Sequence, residues 1–201
     1  IFTDEKVYDP SVSLRQKDRD TDEIYISYST PKTQNRTYLY NIKTKEKKLV
    51  KEQIIPSGHE PNDYIVERLE CPSHDGRVVP ITITRHKNTP IDGSAELLLY
   101  GYGSYGHSMS PTFSSTRLSL IKRNIIWATA HIRGGMERGM KWWKEGKLLN
   151  KKNTFKDYIA CAKFLIEKKY TSKKKIIGMG GSAGGLLMGV VVNEEPDLFL
   201  G

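Results

Sequence analysis

Gly180-Gly181-Ser182-Ala183-Gly184 is the stretch that decides the fold of this 201-residue chain. An apolar run at residues 175–179 precedes it, and a second apolar series at 186–192 follows it. This order predicts a strand, a tight turn and a helix. The glycines let strand and helix approach closely, and the start of the helix supplies free N–H groups and a positive dipole end beside Ser182. An oxyanion is stabilised at such a place.

A G-x-S-x-G sequence between a strand and a helix is typical of the nucleophile elbow of α/β-hydrolases, in which strained backbone angles expose the serine. We therefore predict that Ser182 is a nucleophile. The alternative is a glycine-serine loop that only closes a βα unit. It does not explain five glycines between residues 178 and 185, because glycine carries an entropic cost in regular structure.

The composition argues against several classes of partner. The formal net charge is +9 at pH 7, and lysines cluster at residues 43–51, 141–152 and 168–175. Without zinc-ligand spacing, an RNP-like aromatic motif or an arginine-rich stripe, we interpret these clusters as solvated surfaces and expect no nucleic-acid partner. The five histidines are isolated from one another and from any cysteine pair, so we expect no metal and no cofactor.

Cysteine usage and hydropathy indicate the compartment. Cys71 and Cys161 are the only cysteines, and they are far apart in sequence, so we expect no structural disulfide. This favours a reducing compartment, and we predict a cytoplasmic protein. The sequence carries no signal-peptide pattern and no apolar span of membrane length, so we expect no membrane partner.

The first part of the chain, residues 1–58, reads as short strands. Alternating apolar and polar residues predict strands at 23–28, 36–42 and 48–50. Such a series of short strands is typical of a β-meander or of one propeller blade. A single blade cannot bury its own faces, so we expect it to pack on a further part of a propeller. The turn formers at 56–63 mark the predicted domain boundary.

Residues 59–201 read as α/β architecture, and the predicted parallel sheet carries the elbow strand. Apolar runs at 96–100, 124–130 and 175–179 are typical of strands buried on both faces, and 65–69 and 78–84 are further predicted strands. Helices are predicted at 115–122 and 153–168, the second capped by Asn153 or Thr154.

Residues 101–106 match G-x-G-x-x-G directly after a strand, which makes dinucleotide binding the main alternative function. Two features disfavour it: Pro111 and polar residues separate these glycines from the next helix, and no acidic residue ends the following strand. Tyr102 at this strand end either donates to an oxyanion or caps the sheet edge. The residues alone leave both readings open.

Several motifs together resemble the prolyl oligopeptidase family of serine peptidases, in the family's order and over nearly the whole chain. The sequences of three of them, including Ser-Tyr-Gly at 104–106, resemble oligopeptidase B more closely than prolyl oligopeptidase itself. The resemblance implies the end of a β-propeller at 1–58 and the first half of an α/β-hydrolase catalytic domain at 59–201. The motifs are Leu-Tyr-Gly-Tyr-Gly-Ser-Tyr-Gly at 99–106, Ala-His-Ile-Arg-Gly-Gly at 130–135, Leu-Leu-Asn-Lys-Lys-Asn-Thr-Phe at 148–155, Gly-Ser-Ala-Gly-Gly-Leu-Leu at 181–187 and Pro-Asp-Leu-Phe at 196–199.

The resemblance implies a serine-type oligopeptidase. Ser182 is then the nucleophile, and the hydroxyl of Tyr102 completes the oxyanion hole with the backbone N–H of Ala183. Hydrolysis passes through an acyl-enzyme. Likeness to oligopeptidase B implies short peptide substrates with Arg or Lys before the scissile bond.

The catalytic triad is incomplete in these 201 residues. In α/β-hydrolases the order along the chain is Ser, Asp, His, yet all five histidines precede Ser182. His131 ends a neighbouring strand, which makes it a candidate for a substitute base, but the resemblance implies that it is a structural part of the turn at 133–135. We therefore expect the chain alone to be inactive, to expose the edge of its elbow strand, and to need the rest of the catalytic domain in cis or in trans. The alternatives are a catalytically dead fragment or binding module, and an esterase or lipase of the same fold.

Overall fold

The computed structural model describes residues 6–14 and 20–201. The chain divides into two compact units. One unit takes up the chain to Tyr64 together with Ser110–Thr116, and the other takes up Ile65–Met109 and Arg117–Gly201.

The first unit contains a four-stranded sheet in which sequential strands pair antiparallel. Ile26, Tyr28 and Tyr40 are its buried hydrophobic side chains on the second and third strands. The three predicted strands are confirmed. The first strand was not predicted, because its sequence holds only two aliphatic residues and pairing with the next strand defines it. The strands are β1 Asp9–Leu14, β2 Glu23–Ser29, β3 Arg36–Asn41 and β4 Lys47–Glu52.

The second unit is built on a five-stranded sheet with the order β5-β6-β8-β7-β9. β8, β7 and β9 are parallel, and β6 joins β8 antiparallel. This arrangement confirms the predicted fold class, an α/β-hydrolase sheet preceded by a propeller-like blade. The elements are β5 Tyr64–Pro72, β6 Val78–His86, β7 Leu97–Gly101, α1 Ser115–Ile121, β8 Ile126–Ala130, α2 Met140–Lys144, α3 Lys152–Glu167, β9 Ile176–Met179 and α4 Ala183–Glu194, with short 3₁₀ turns at Pro61–Asp63, Leu148–Asn150 and Pro196–Leu198.

The core of this unit lies between the sheet and helix α3. Leu97, Leu99, Ile126 and Ile176 are fully buried on the central strands. The prediction that all three parallel strands are buried on both faces is wrong for β9, which is buried only at Ile176 and exposed at Met179, and for β8, where alternate residues are only half-buried. There the ring of Trp127 lies beneath the guanidinium of Arg117 on α1, 4.9 Å from its centroid.

The predicted cap of α3 is also wrong. The helix begins at Lys152 without a side-chain cap, and the two predicted capping residues bind a neighbouring loop instead. Thr154 donates its hydroxyl to the carbonyl of Arg133 at 2.8 Å, and Asn153 donates its amide to the carbonyl of Glu145 at 2.9 Å. Tertiary contacts therefore take precedence over local capping.

β9 is the last strand in the sheet order, as predicted, but its edge is not bare. The N–H of Leu200 donates to the carbonyl of Ile176 at 2.7 Å, and the N–H of Gly178 donates to the carbonyl of Gly201 at 2.9 Å. The expectation of an unpaired apolar edge is therefore wrong for these groups.

No helix in the described part of the chain is both long and apolar enough to cross a membrane.

Candidate active site

Ser182 stands in a strained turn between β9 and α4. Its φ of 52° and ψ of −120° are unusual for a residue with a side chain. The N–H of Gly185 donates to the carbonyl of Ser182 at 2.8 Å, and the N–H of Gly184 donates to that of Gly181 at 2.7 Å. Such a conformation costs on the order of 1–3 kcal/mol, so the surrounding structure must hold it in place.

Two of the glycines around Ser182 are required by close packing. A Cβ on Gly180 would lie 2.5 Å from the carbonyl oxygen of Gly184, and a Cβ on Gly184 would lie 3.0 Å from the carbonyl oxygen of Gly101. Gly181 and Gly185 face open space. The close packing predicted from the sequence therefore requires glycine at the first and last positions of the G-x-S-x-G sequence, Gly180 and Gly184.

The structure brings the predicted oxyanion-hole residues next to this turn. Ala183 is the first residue of α4, where a backbone N–H has no carbonyl partner within the helix. Tyr102 directly follows β7, and its Cδ2 lies 3.7 Å from where a Cβ of Gly184 would stand. The ring of Tyr102 also meets that of His107 edge-on, with centroids 5.5 Å apart.

The G-x-G-x-x-G stretch does not open a helix. After β7 the chain continues as a loop, and α1 begins only at Ser115. Lys151 holds this loop, because its ammonium donates to the carbonyl of Gly103 at 2.6 Å and to the hydroxyl of Ser104 at 2.8 Å. Burial lowers the pKa of Lys151. The loop is thereby fixed to the start of α3, which Lys151 directly precedes.

His131 is buried in a polar cluster of its own. Its Nε2 lies 2.7 Å from Nη1 of Arg68 and 2.8 Å from the hydroxyl of Thr82, and its Nδ1 lies 3.5 Å from Oε1 of Glu137. Burial lowers the pKa of His131, the nearby Arg68 charge lowers it further, and Glu137 opposes both. Because Arg68 can only donate, Nε2 is the accepting nitrogen and the ring is neutral.

None of the five histidines has a hydrogen bond to Ser182 within the described structure. His59 bonds the carbonyl of Lys32, His74 bonds Ser73, and the Nδ1 of His86 accepts from the backbone of Asn88. Over the same residues there is also no group of three His, Cys, Asp or Glu side chains placed to hold a metal ion.

A pocket of about 600 Å³ adjoins the first turn of α4. Ala183 and Leu186 of α4 line it, together with Trp143, Lys147 and Lys151. The remaining lining residues are Ser104, Tyr105, Gly134, Gly146 and Leu148. The pocket therefore borders the start of α4, where Ala183 lies.

The sequence signature of the prolyl oligopeptidase family matches residues 111–201. The chain is 43% identical over 200 residues to dipeptidyl aminopeptidase BI of Pseudoxanthomonas mexicana and 40% identical over 199 residues to protease 2 of Moraxella lacunata. It belongs to the prolyl oligopeptidase family. These matches cover 99% of the chain but only 27% and 29% of the two relatives, so the chain spans little more than a quarter of their length.

Solved structures of the family superimpose on both the blade and the hydrolase part. Oligopeptidase B from Trypanosoma brucei with covalently bound antipain matches 98% of the chain with a TM-score of 0.91 and 38% identity. Oligopeptidase B from Leishmania major matches 98% with a TM-score of 0.88 and 37% identity. The chain covers 28% of each of these proteins. The predicted likeness to oligopeptidase B is confirmed.

This member of the prolyl oligopeptidase family also holds a buried ion pair that the sequence analysis missed. The Arg133 guanidinium is 1% exposed and donates from Nε and Nη2 to the carboxylate of Asp157 at 2.8 and 2.6 Å. It also donates to the half-exposed Asp75, and Ser73 donates to Asp157. Burial by itself lowers the pKa of Arg133, but the two carboxylates outweigh it and raise the pKa above its usual value.

The ion pair supports the site through the turn that follows β8. The backbone N–H of Arg133 also donates to Asp157, at 3.1 Å, and the N–H of Gly106 donates to the carbonyl of Gly134 at 2.9 Å. The loop that carries Tyr102 therefore rests on a turn fixed by a buried charge pair. The motif at 130–135 contained the arginine, but nothing in the sequence pointed to Asp157 as its partner.

Proposed function

We propose that this chain provides the nucleophile and the oxyanion hole of a serine oligopeptidase. Ser182 attacks the scissile carbonyl of a short peptide, and the N–H of Ala183 and the hydroxyl of Tyr102 stabilise the oxyanion. Residues 1–58 belong to a β-propeller-like domain and 59–201 to the N-terminal half of the catalytic domain. The observation that carries the proposal is the strained, exposed Ser182 at the start of α4.

Three features support these roles. A serine held at a positive φ projects its hydroxyl away from the sheet, as a nucleophile elbow requires. The first N–H groups of α4 add the positive end of the helix dipole. The loop of Tyr102 is held to Lys151 and to Gly134, which fits a donor that must be in place before the reaction begins.

We further propose that the 201-residue chain does not acylate by itself. A serine hydroxyl is a weak nucleophile until a positioned base accepts its proton. Two observations support this: no histidine of the described residues is hydrogen-bonded to Ser182, and His131 is buried with Arg68 and Thr82. The base and its orienting acid then come from a further segment in cis or in trans.

Substrate preference and location complete the proposal. Likeness to oligopeptidase B favours Arg or Lys before the scissile bond, and the acidic groups that hold such a cation then lie outside the pocket beside Ala183. The thiols of Cys71 and Cys161 are both free and buried, which favours a reducing compartment such as the cytoplasm.

The first experiment labels the purified chain with a fluorophosphonate, which reacts appreciably only with a base-activated serine. We expect labelling no stronger than in a Ser182→Ala variant. Strong labelling that the variant abolishes would support Ser182 as nucleophile but overturn the proposal that the chain is inactive alone.

The second experiment supplies the missing segment. This chain replaces the matching 200 residues of dipeptidyl aminopeptidase BI from P. mexicana, and peptide hydrolysis by the chimaera is compared with that of its Ser182→Ala and Ser172→Ala variants. Ser172 lies before β9 and serves as the matched control. We expect hydrolysis to fall by at least about a thousandfold only in Ser182→Ala. Equal activity in all three chimaeras would refute the role of Ser182.

A further inference from the structure

The pocket beside the first turn of α4 is strongly cationic. Lys147 and Lys151 line it, and no aspartate or glutamate is among its lining residues. Its remaining lining residues are uncharged: Trp143, Tyr105, Leu148, Leu186 and the small residues Ser104, Gly134, Gly146 and Ala183. Such a lining attracts an anion and repels a cation.

Both lysines keep donors available for a ligand. The Nζ of Lys147 lies 3.6 Å from the ring centroid of Trp143, so the aromatic face takes one side of the ammonium. Lys151 uses two of its three N–H donors on Gly103 and Ser104. Neither ammonium is in an ion pair with a carboxylate of the described residues.

The position of the pocket ties it to the reaction site. Ala183 contributes to the pocket wall and is also the first residue of α4, where the helix dipole is equivalent to roughly half a positive charge. The volume of about 600 Å³ accommodates one or two amino-acid residues of a peptide. A group bound there lies near the start of α4, which Ser182 directly precedes.

We infer that this lysine pocket binds a carboxylate of the peptide substrate, supplied by the free C-terminus of a short peptide or by an acidic side chain. The inference rests on the proposed function, because it assumes that a peptide lies across Ser182. The basic residue expected before the scissile bond then occupies another place, since two lysines would repel it here. The enzyme thus selects short peptides that carry a carboxylate near the cleaved bond.

The test measures binding by NMR on the 201-residue chain, through the indole N–H signal of Trp143. Three probes are titrated: acetyl-trialanine with a free C-terminus, acetyl-alanyl-glutamyl-alanine amide, and acetyl-trialanine amide. We expect at least one carboxylate peptide to bind about tenfold more tightly than the uncharged amide. The probe that binds more tightly identifies the source of the carboxylate.

Lysine variants decide whether the pocket is responsible. Lys147→Met keeps the length of the side chain and is expected to weaken the carboxylate peptide about tenfold, whereas Lys147→Arg keeps the charge and restores binding to within about twofold. Lys144→Met, on the exposed side of α2, is the matched control and leaves binding unchanged. Backbone NMR spectra verify that each variant keeps the native fold.

Two results would overturn the inference: equal binding of all three peptides, or no binding of either carboxylate peptide. A loss in Lys144→Met equal to that in Lys147→Met would do the same. Failure here is separable from failure of the proposed function, because Ser182 is not among the lining residues. Ser182→Ala should therefore keep carboxylate binding while the chimaera that carries it loses hydrolysis.

Discussion

Replacing Asp157 with alanine removes the principal counter-charge of a fully buried arginine. Asp157 is 0% exposed and accepts from the N–H, Nε and Nη2 of Arg133, at 3.1, 2.8 and 2.6 Å. The alanine variant leaves these three donors and the hydroxyl of Ser73 without that acceptor. A guanidinium cannot give up its proton to relieve the cost, because arginine stays protonated in proteins.

The magnitude follows from burial. Breaking a buried ion pair by removing one partner costs about 3–5 kcal/mol, because the other charge stays desolvated. Asp75 still accepts from Arg133 and is partly exposed, so we expect the lower end, about 3 kcal/mol. For a chain of this length, about 3 kcal/mol corresponds to a fall in Tm of about 6–12 °C.

The assay is thermal unfolding followed by circular dichroism, with a matched exposed ion pair as the control. Glu195 accepts from Lys163 at 2.6 Å, the same length as the shortest Arg133–Asp157 contact, but the two side chains are 35% and 54% exposed. Glu195→Ala should cost no more than about 1 kcal/mol. Asp157→Asn, which keeps the shape and removes the charge, should fall between the two alanine variants.

Equal shifts in Tm for Asp157→Ala and Glu195→Ala would refute the reasoning. Such a result would mean that burying the ion pair does not increase the free-energy cost of breaking it. A higher Tm in Asp157→Ala would refute it as well, since the remaining Arg133 charge would then be paired well enough by Asp75 alone.

Two further predictions concern the elbow and the buried histidine. Gly180→Ala places a Cβ 2.5 Å from the carbonyl oxygen of Gly184 and should lower the free energy of unfolding by about 1–3 kcal/mol. The control, Gly185→Ala, faces open space in α4 and should be neutral or stabilising. Equal effects of the two variants in thermal unfolding would contradict this prediction. Burial lowers the pKa of His131, so the unfolded chain takes up this proton near pH 6.5 and the folded chain only at lower pH. The stability that neutral His131 contributes is therefore intact above about pH 6.5 and is lost as the pH falls below that value. His131→Gln should reduce the drop in Tm between pH 7.5 and pH 5.5, whereas His107→Gln, at an exposed position, should not.

The sequence by itself was sufficient for features that depend on neighbours along the chain. The elbow was predictable because its glycines, its serine and the two apolar runs lie within about twenty residues. The strands β2 to β9 were predictable for the same reason, since hydrophobic periodicity is a local property. The roles of Ser182, Tyr102 and Ala183 remain predictions that the labelling and chimaera experiments test.

Only the tertiary structure decided the features that join distant segments. Asp157 meets Arg133 across 24 residues, and burial together with the Cys71 thiol, which lies on a different element, raises the pKa of Cys161. Thr154 binds the carbonyl of Arg133 instead of capping α3. No pattern in the sequence contains such pairings, because a charge, a thiol or a hydroxyl finds its partner only after the sheet and α3 have packed together. The lysine pocket beside α4 likewise exists only in the folded chain, where the loop after β7, the turn after β8, residues 143–151 and the start of α4 come together.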